Sequence, residues 1–184
     1  MKMISLFFSS GIVNLFNSLI ALLITLIVAK DYGVAAVGEL YIVLGLCSIS
    51  VFPNVVLPPN FSIVRIQRSQ RFSSTLLNSY IYTSPIIALI SILILFGRDN
   101  FDVLLGGAFA LFSSWINFFD ILLQSKGRLK EYYISTLIGN ITKLVCIALF
   151  PVGSFPLSQL LAIYVLGQLI NLIFLINKNK EFGR

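Results

Sequence analysis

The chain has 184 residues, of which 58% are hydrophobic and 11% charged, a balance that excludes an ordinary soluble globular domain. Its net charge of +6 would point to nucleic acid in a soluble protein. Here the basic residues fall between long apolar stretches, where they act on membrane orientation, and no nucleic-acid partner is expected.

A bilayer core needs about 20 consecutive apolar residues per helix. Six runs of roughly that length occur, near 8–29, 38–58, 79–97, 103–124, 132–151 and 156–176. They predict an all-α integral membrane protein, a single six-transmembrane-helix domain over residues 1–184. The first run lacks a small-x-small cleavage site before Lys30, so it is expected to be retained as a helix. Gly33 and Gly38 give permissive backbone to the turn that follows it. Pro53 lies within the second run as a candidate hinge, and Pro58 and Pro59 end that run.

The longest connection, about 59–78, is basic and amphipathic. Ile63, Ile66, Phe72 and Leu76 are available there to rest on a membrane surface bearing anionic lipid headgroups. The plainer alternative is a loop whose arginines only set topology. Pro85 sits early in the third run, and Gly97 and Gly153 mark later turns. Because the other connections are short, consecutive helices are expected to pack as antiparallel neighbours.

Basic residues collect on alternate connections. Lys2, Arg65, Arg68, Arg71, Lys126, Arg128, Lys130, Lys178, Lys180 and Arg184 share one predicted side. The other side has Lys30 and Arg98 beside the acids Asp31, Glu39, Asp99 and Asp102. The positive-inside bias then puts both termini in the cytoplasm. Cys47 and Cys146 lie inside apolar runs, without the spacing of a metal site or a disulfide framework, and are read as packing residues.

The fourth run carries Ser113, Asn117, Asp120 and Gln124 at offsets of four, three and four, which places them on one helix face. The fifth answers with Thr136, Asn140 and Lys143, and the sixth with Tyr164, Gln168 and Asn171. The first offers Ser10, Asn14, Asn17 or Ser18, and Thr25. Polar stripes facing lipid are costly, so these are expected to face the bundle interior or a hydrophilic cavity.

Asp120 and Lys143 are the charges inside the spans. Their side chains lean toward each other along antiparallel helices, so a structural Asp120–Lys143 pair is one reading. The other is a cavity cation for an anionic substrate beside a titratable carboxylate.

The absence of histidine removes imidazole bases and His-containing metal sites, and the seven acids are scattered. There is no Gly-rich phosphate loop and no Cys cluster. No enzymatic activity, cofactor or metal is expected, and a membrane-embedded transferase is the weaker class.

The segment AKDYGVAAVGELYIV, Ala29 to Val43, resembles the A-R-x-L-G-x-x-x-(aromatic or aliphatic)-G signature of polysaccharide-export transporters. Ala29, Gly33, Val37 and Gly38 match, while Lys30 and Tyr32 stand where arginine and leucine are commoner. A second stretch, Gln124 to Val145, is similar in Gln124, Gly127, Arg128, Lys130, Tyr132, Gly139 and Asn140.

The family resembled is that of the O-antigen repeat-unit flippases within the multidrug/oligosaccharidyl-lipid/polysaccharide superfamily. Its members have two pseudo-symmetric lobes, and this chain resembles the N-terminal lobe alone. The resemblance implies a bacterial inner-membrane flippase for a lipid-linked oligosaccharide on polyprenyl pyrophosphate, half-length or truncated, paired with a second lobe or a second copy.

In that reading Lys143 receives the pyrophosphate and Asn117, Asn140, Gln168 and Asn171 bond the sugars. Asp120 couples transport to a proton or sodium gradient. The alternatives are a small-molecule exporter of the same superfamily and a non-transporting scaffold for polysaccharide-assembly enzymes.

Overall fold

A computed structural model describes residues 2–50, 59–149 and 157–180 of the chain. These residues form seven helices: α1 (Lys2–Tyr32), α2 (Val34–Ser50), α3 (Pro59–Arg68), α4 (Gln70–Ile94), α5 (Asn100–Ser125), α6 (Leu129–Leu149) and α7 (Leu157–Lys180). There is no strand among them beyond an isolated bridge between Phe96 and Arg98. Five of the helices, α1 and α4 to α7, contain stretches long and apolar enough to cross a membrane, and α2 is apolar but shorter within the described residues. The protein is an all-helical, multi-pass membrane bundle.

The described residues hold a helix that is not among the six predicted spans, because the long basic connection folds. Its first part is the separate helix α3, and its second part extends α4 back to Gln70, well before the predicted start near residue 79. Ser69 breaks the two apart by taking an extended conformation, φ −150° and ψ 113°. Low apolar content hid this region from a span search, although its helical spacing is sound. Pro53, Pro58 and Gly153 fall outside the described residues. Pro85 lies inside α4, where the adjacent Ser84 hydroxyl donates to the Tyr80 carbonyl at 2.5 Å.

Gly33, Gly97 and Gly127 adopt positive φ, of 86°, 99° and 71°, and make the α1–α2, α4–α5 and α5–α6 turns. A residue with a Cβ is strained in that region. The expected packing of consecutive helices holds for α4 with α5 and for α6 with α7, but not for α5 with α6, and non-consecutive pairs are as extensive. α5 packs chiefly on α7 and α4, while α6 packs on α7 and α1; α5 and α6 meet only slightly. α2 reaches α1, α4, α5 and α7.

Two of the three buried apolar clusters lie toward opposite ends of the bundle. Around α2, Val28, Leu40, Val43, Cys47, Ile87, Leu95, Ala110, Leu160 and Leu161 pack from five helices. At the other end, Leu76, Tyr80, Phe118 and Ile121 pack with the inner side of α3, including Ile63 and Ile66. Thus Ile63, Ile66 and Leu76 face protein rather than a membrane surface, and the exposed apolar residues of α3 are Phe61 and Val64. Cys146 is half-buried, and neither cysteine forms a disulfide.

The alternation of charge is visible in three dimensions. Gln67 of α3 bonds the Ser125 carbonyl at the end of α5 at 3.1 Å, and Arg128 bonds the Lys178 carbonyl of α7 at 3.4 Å. These contacts gather Arg65, Arg68, Arg71, Lys126, Arg128 and Lys178 at one end. At the other, Arg98 in the α4–α5 turn pairs with Glu39 of α2 at 3.0 Å.

α5 fits this closely only because Gly106 has no side chain. A Cβ there would collide with the Leu95 side chain and lie 3.2 Å from Cys47 Sγ. Gly106→Leu is expected to cost about 1–3 kcal/mol through overpacking, seen as a lower melting midpoint in detergent. Gly45→Leu, at a site with nothing within 4 Å of a Cβ, should leave the midpoint unchanged.

Candidate functional site

Lys143 lies about 20 Å along α6 from its start at Leu129, taking 1.5 Å per residue. It is the cation farthest from any end among the candidate spans. Two glycines make room for it. A Cβ on Gly167 of α7 would come within 2.7 Å of both Lys143 Cγ and Cε and 3.0 Å of the Gly139 carbonyl oxygen. A Cβ on Gly139 would in turn lie 3.0 Å from the Gly167 carbonyl oxygen and 3.3 Å from Asn171 Cβ. α6 and α7 therefore touch backbone to backbone, and the lysine stem lies across Gly167.

The ammonium group ends a chain of hydrogen bonds. Lys143 Nζ donates to Asn140 Oδ1 at 3.1 Å, and Asn140 Nδ2 donates to Asn17 Oδ1 of α1 at 3.4 Å. Asn17 Nδ2 then donates to the Tyr133 carbonyl at 3.4 Å. Each amide accepts with its oxygen and donates with its nitrogen, so the bonds polarise in one direction.

On its other side the ammonium lies over the ring of Tyr164, 5.0 Å from the centroid. The Tyr164 hydroxyl lies within electrostatic reach of Tyr41 of α2, whose hydroxyl meets Thr25 Oγ1 of α1 at 2.7 Å. Thr25 gives its proton to the Ala21 carbonyl at 3.0 Å. Tyr41 is exposed, so these polar groups reach from the half-buried Lys143 toward the flank of the bundle.

No carboxylate pairs with Lys143 among the described residues, and the Asp120–Lys143 pair is not formed. The reason is packing: α5 and α6 diverge after their turn, with α7 against both. Asp120 lies instead within electrostatic reach of Tyr132, near the start of α6, and its Oδ1 is buried without a partner. Ser113 Oγ and Asn171 Oδ1 are likewise buried acceptors without a protein partner.

Of the residues singled out from sequence, Lys143 and Asn140 are bonded to each other, and Asn171 is buried on α7 beside Gly139. Gln168 is half-buried on α7, adjacent in sequence to Gly167. Asn117 is exposed on α5, one helical turn from half-buried Asp120, so it is not brought to the Lys143 cluster. Tyr41 and the pairing of Asn17 with Asn140 escaped the sequence reading. A tyrosine within an apolar run was the available signal for Tyr41, since a buried or lipid-level hydroxyl seeks a partner.

Compared with protein-family models, curated proteins and solved structures, the chain matches none.

The glycine contact yields a two-part expectation. Gly167→Val should lower the melting midpoint by forcing α6 from α7, at a cost of about 1–3 kcal/mol. Adding Lys143→Ala removes the clashing stem and should recover part of that loss, a non-additivity that a double-mutant cycle reads directly. Strict additivity would mean that the stem does not lie across Gly167.

Proposed function

We propose that this protein is a flippase, or one lobe of one, that moves a lipid-linked oligosaccharide across a bacterial inner membrane for O-antigen or other surface polysaccharide. The observation that carries this reading is Lys143, a cation inside a candidate span with amide and aromatic neighbours and no carboxylate paired to it among the described residues. A cation inside a span is costly in a membrane unless it is paired, hydrogen-bonded or hydrated, and is a functional candidate for that reason. An ammonium group held by neutral groups keeps a net charge to offer an anionic pyrophosphate, whereas an ion-paired one does not.

The substrate class rests on the resemblance at Ala29–Val43 and Gln124–Val145. The orphan acceptors Ser113 Oγ and Asn171 Oδ1 suit sugar hydroxyls as donors, and the polyprenyl tail stays in the bilayer. The exposed Asn117 belongs to this reading as a group that meets substrate from a second lobe or a second copy across the path. Asp120, with its unpartnered oxygen, is the carboxylate that would take up and release a coupling cation.

The test is export of surface polysaccharide, measured beside membrane abundance of the protein. Lys143→Ala is expected to cut export about 10-fold or more, the factor for losing a charge-assisted hydrogen bond to a buried anion, at unchanged abundance. Wild-type export by this variant would end the anion-receiving role. Loss of the protein from the membrane would mark Lys143 as a structural tie and favour the scaffold reading. Drug efflux with intact surface polysaccharide would favour the small-molecule exporter.

Asp120→Asn tests the coupling separately, in liposomes with an imposed proton or sodium gradient. Flipping should persist while its response to the gradient falls. A variant that still answers fully to both gradients would remove Asp120 from coupling.

A further inference from the structure

A cavity of about 850 Å³ opens at the basic end of the bundle, where α3 and the first turns of α4 stand over the end of α5. Phe118, Phe119 and Leu122 form its apolar wall, and Gln67, Ser74 and Lys126 lie on its polar side. The Gln67–Ser125 hydrogen bond of 3.1 Å fixes α3 as its roof. The spans of α4 and α5 begin and end here, at Arg71 and Ser125, so the cavity sits where apolar chain meets polar headgroups.

Charge at the mouth is unevenly committed. Arg128 is held by Glu131 at 2.9 Å and by the Lys178 carbonyl. Lys126 makes no ion pair among the described residues, and Gln67 keeps a second N–H beyond the one given to Ser125.

The outer side of α3 has matching chemistry. Phe61 and Val64 are exposed beside Arg65 and Arg68 around a second cleft of about 460 Å³, and the Arg65 guanidinium lies 5.3 Å from the Phe61 ring centroid. A short helix with apolar side chains and arginines on its outer face belongs in the headgroup layer.

We propose that the cavity beneath α3 binds the headgroup of an anionic phospholipid of the surrounding bilayer. The phosphate meets Lys126 and the second Gln67 N–H, and an acyl chain lies along Phe118, Phe119 and Leu122. Neutral phospholipid lacks the net charge for Lys126, and inorganic phosphate lacks anything to cover the apolar wall. The bound lipid ties α3 to α5 at the end of the bundle, apart from Lys143.

The test uses the purified full chain in detergent, titrated with phosphatidylglycerol or phosphatidylcholine of the same acyl chains. Melting midpoint and lipid retained in native mass spectrometry are both read. Phosphatidylglycerol is expected to raise the midpoint and be retained, and phosphatidylcholine is not.

Lys126→Gln should weaken the apparent phosphatidylglycerol affinity about 5-fold, the worth of one basic residue at an anionic surface. Ser74→Trp, which fills the cavity with every charge kept, should weaken it too; Leu77→Trp replaces it if that variant does not fold. Lys30→Gln, at the opposite end, should bind as the parent does. Equal effects of the two lipids, a response that survives both Lys126→Gln and the tryptophan variant, or the same shift from inorganic phosphate would each overturn the site.

Discussion

An ammonium group inside a membrane span must be solvated by the protein, and the arrangement of α1, α6 and α7 follows from how Lys143 meets that demand. Its own helix supplies the first acceptor, Asn140, one turn back. That amide is then committed, and its remaining donor needs an acceptor from elsewhere, which Asn17 of α1 provides. The stem needs a path to the Tyr164 ring, and Gly167 provides it by having no side chain to fill the space. Remove the charge, and the glycine contact and the amide chain lose their common reason.

The rest of the bundle is held differently. α5 joins α4 through an aromatic cluster in which Tyr80 and Phe118 lie 5.2 Å apart and Trp115 meets Phe118 edge-on at 5.9 Å. It joins α7 through Ile116, Leu123, Leu172 and Leu175. In a bilayer such surfaces gain little from hiding apolar area, since lipid is equally apolar, and their cohesion comes from close packing. This explains why glycines mark the tight points on both sides, Gly106 for α5 and Gly139 with Gly167 for α6 and α7.

Periodicity and charge made the helical membrane class, the turn glycines Gly33 and Gly97, and the grouping of basic ends legible in the sequence. Neighbour relations were legible only in part: α4 with α5 and α6 with α7 pack as consecutive helices, but helices apolar on nearly every side give no face that selects the non-consecutive partners. That is why Asp120 was paired in prospect with Lys143: the lean of two side chains was right for adjacent antiparallel helices, but α7 packs against both and the two diverge. α3 was hidden for the opposite reason, its arginines making a folded segment look like a loop. The stripe on α5 was real as a spacing, yet its members divide between half-buried Asp120 and exposed Asn117, a distinction that depends on where neighbouring helices stop.

The two kinds of interface imply where this bundle can yield. Shifting α1 or α6 against α7 requires breaking directional bonds to Asn17, Asn140 and Lys143 and opening the glycine contact, and each broken bond leaves a polar group facing hydrocarbon. Sliding α5 along α7 at the cluster of Ile116, Leu123, Leu172 and Leu175 exchanges one set of leucine and isoleucine contacts for another. The seam between α5 and α7 is therefore the lower-cost place for relative motion. Asp102, Ser113 and Asp120 of α5 and Asn171 and Asn179 of α7 carry buried polar atoms without a partner, so those groups stand on the two helices that share this seam. A polar ligand that satisfied them would change the relative cost of the two positions, which is the requirement for a binding event to bias a conformational equilibrium.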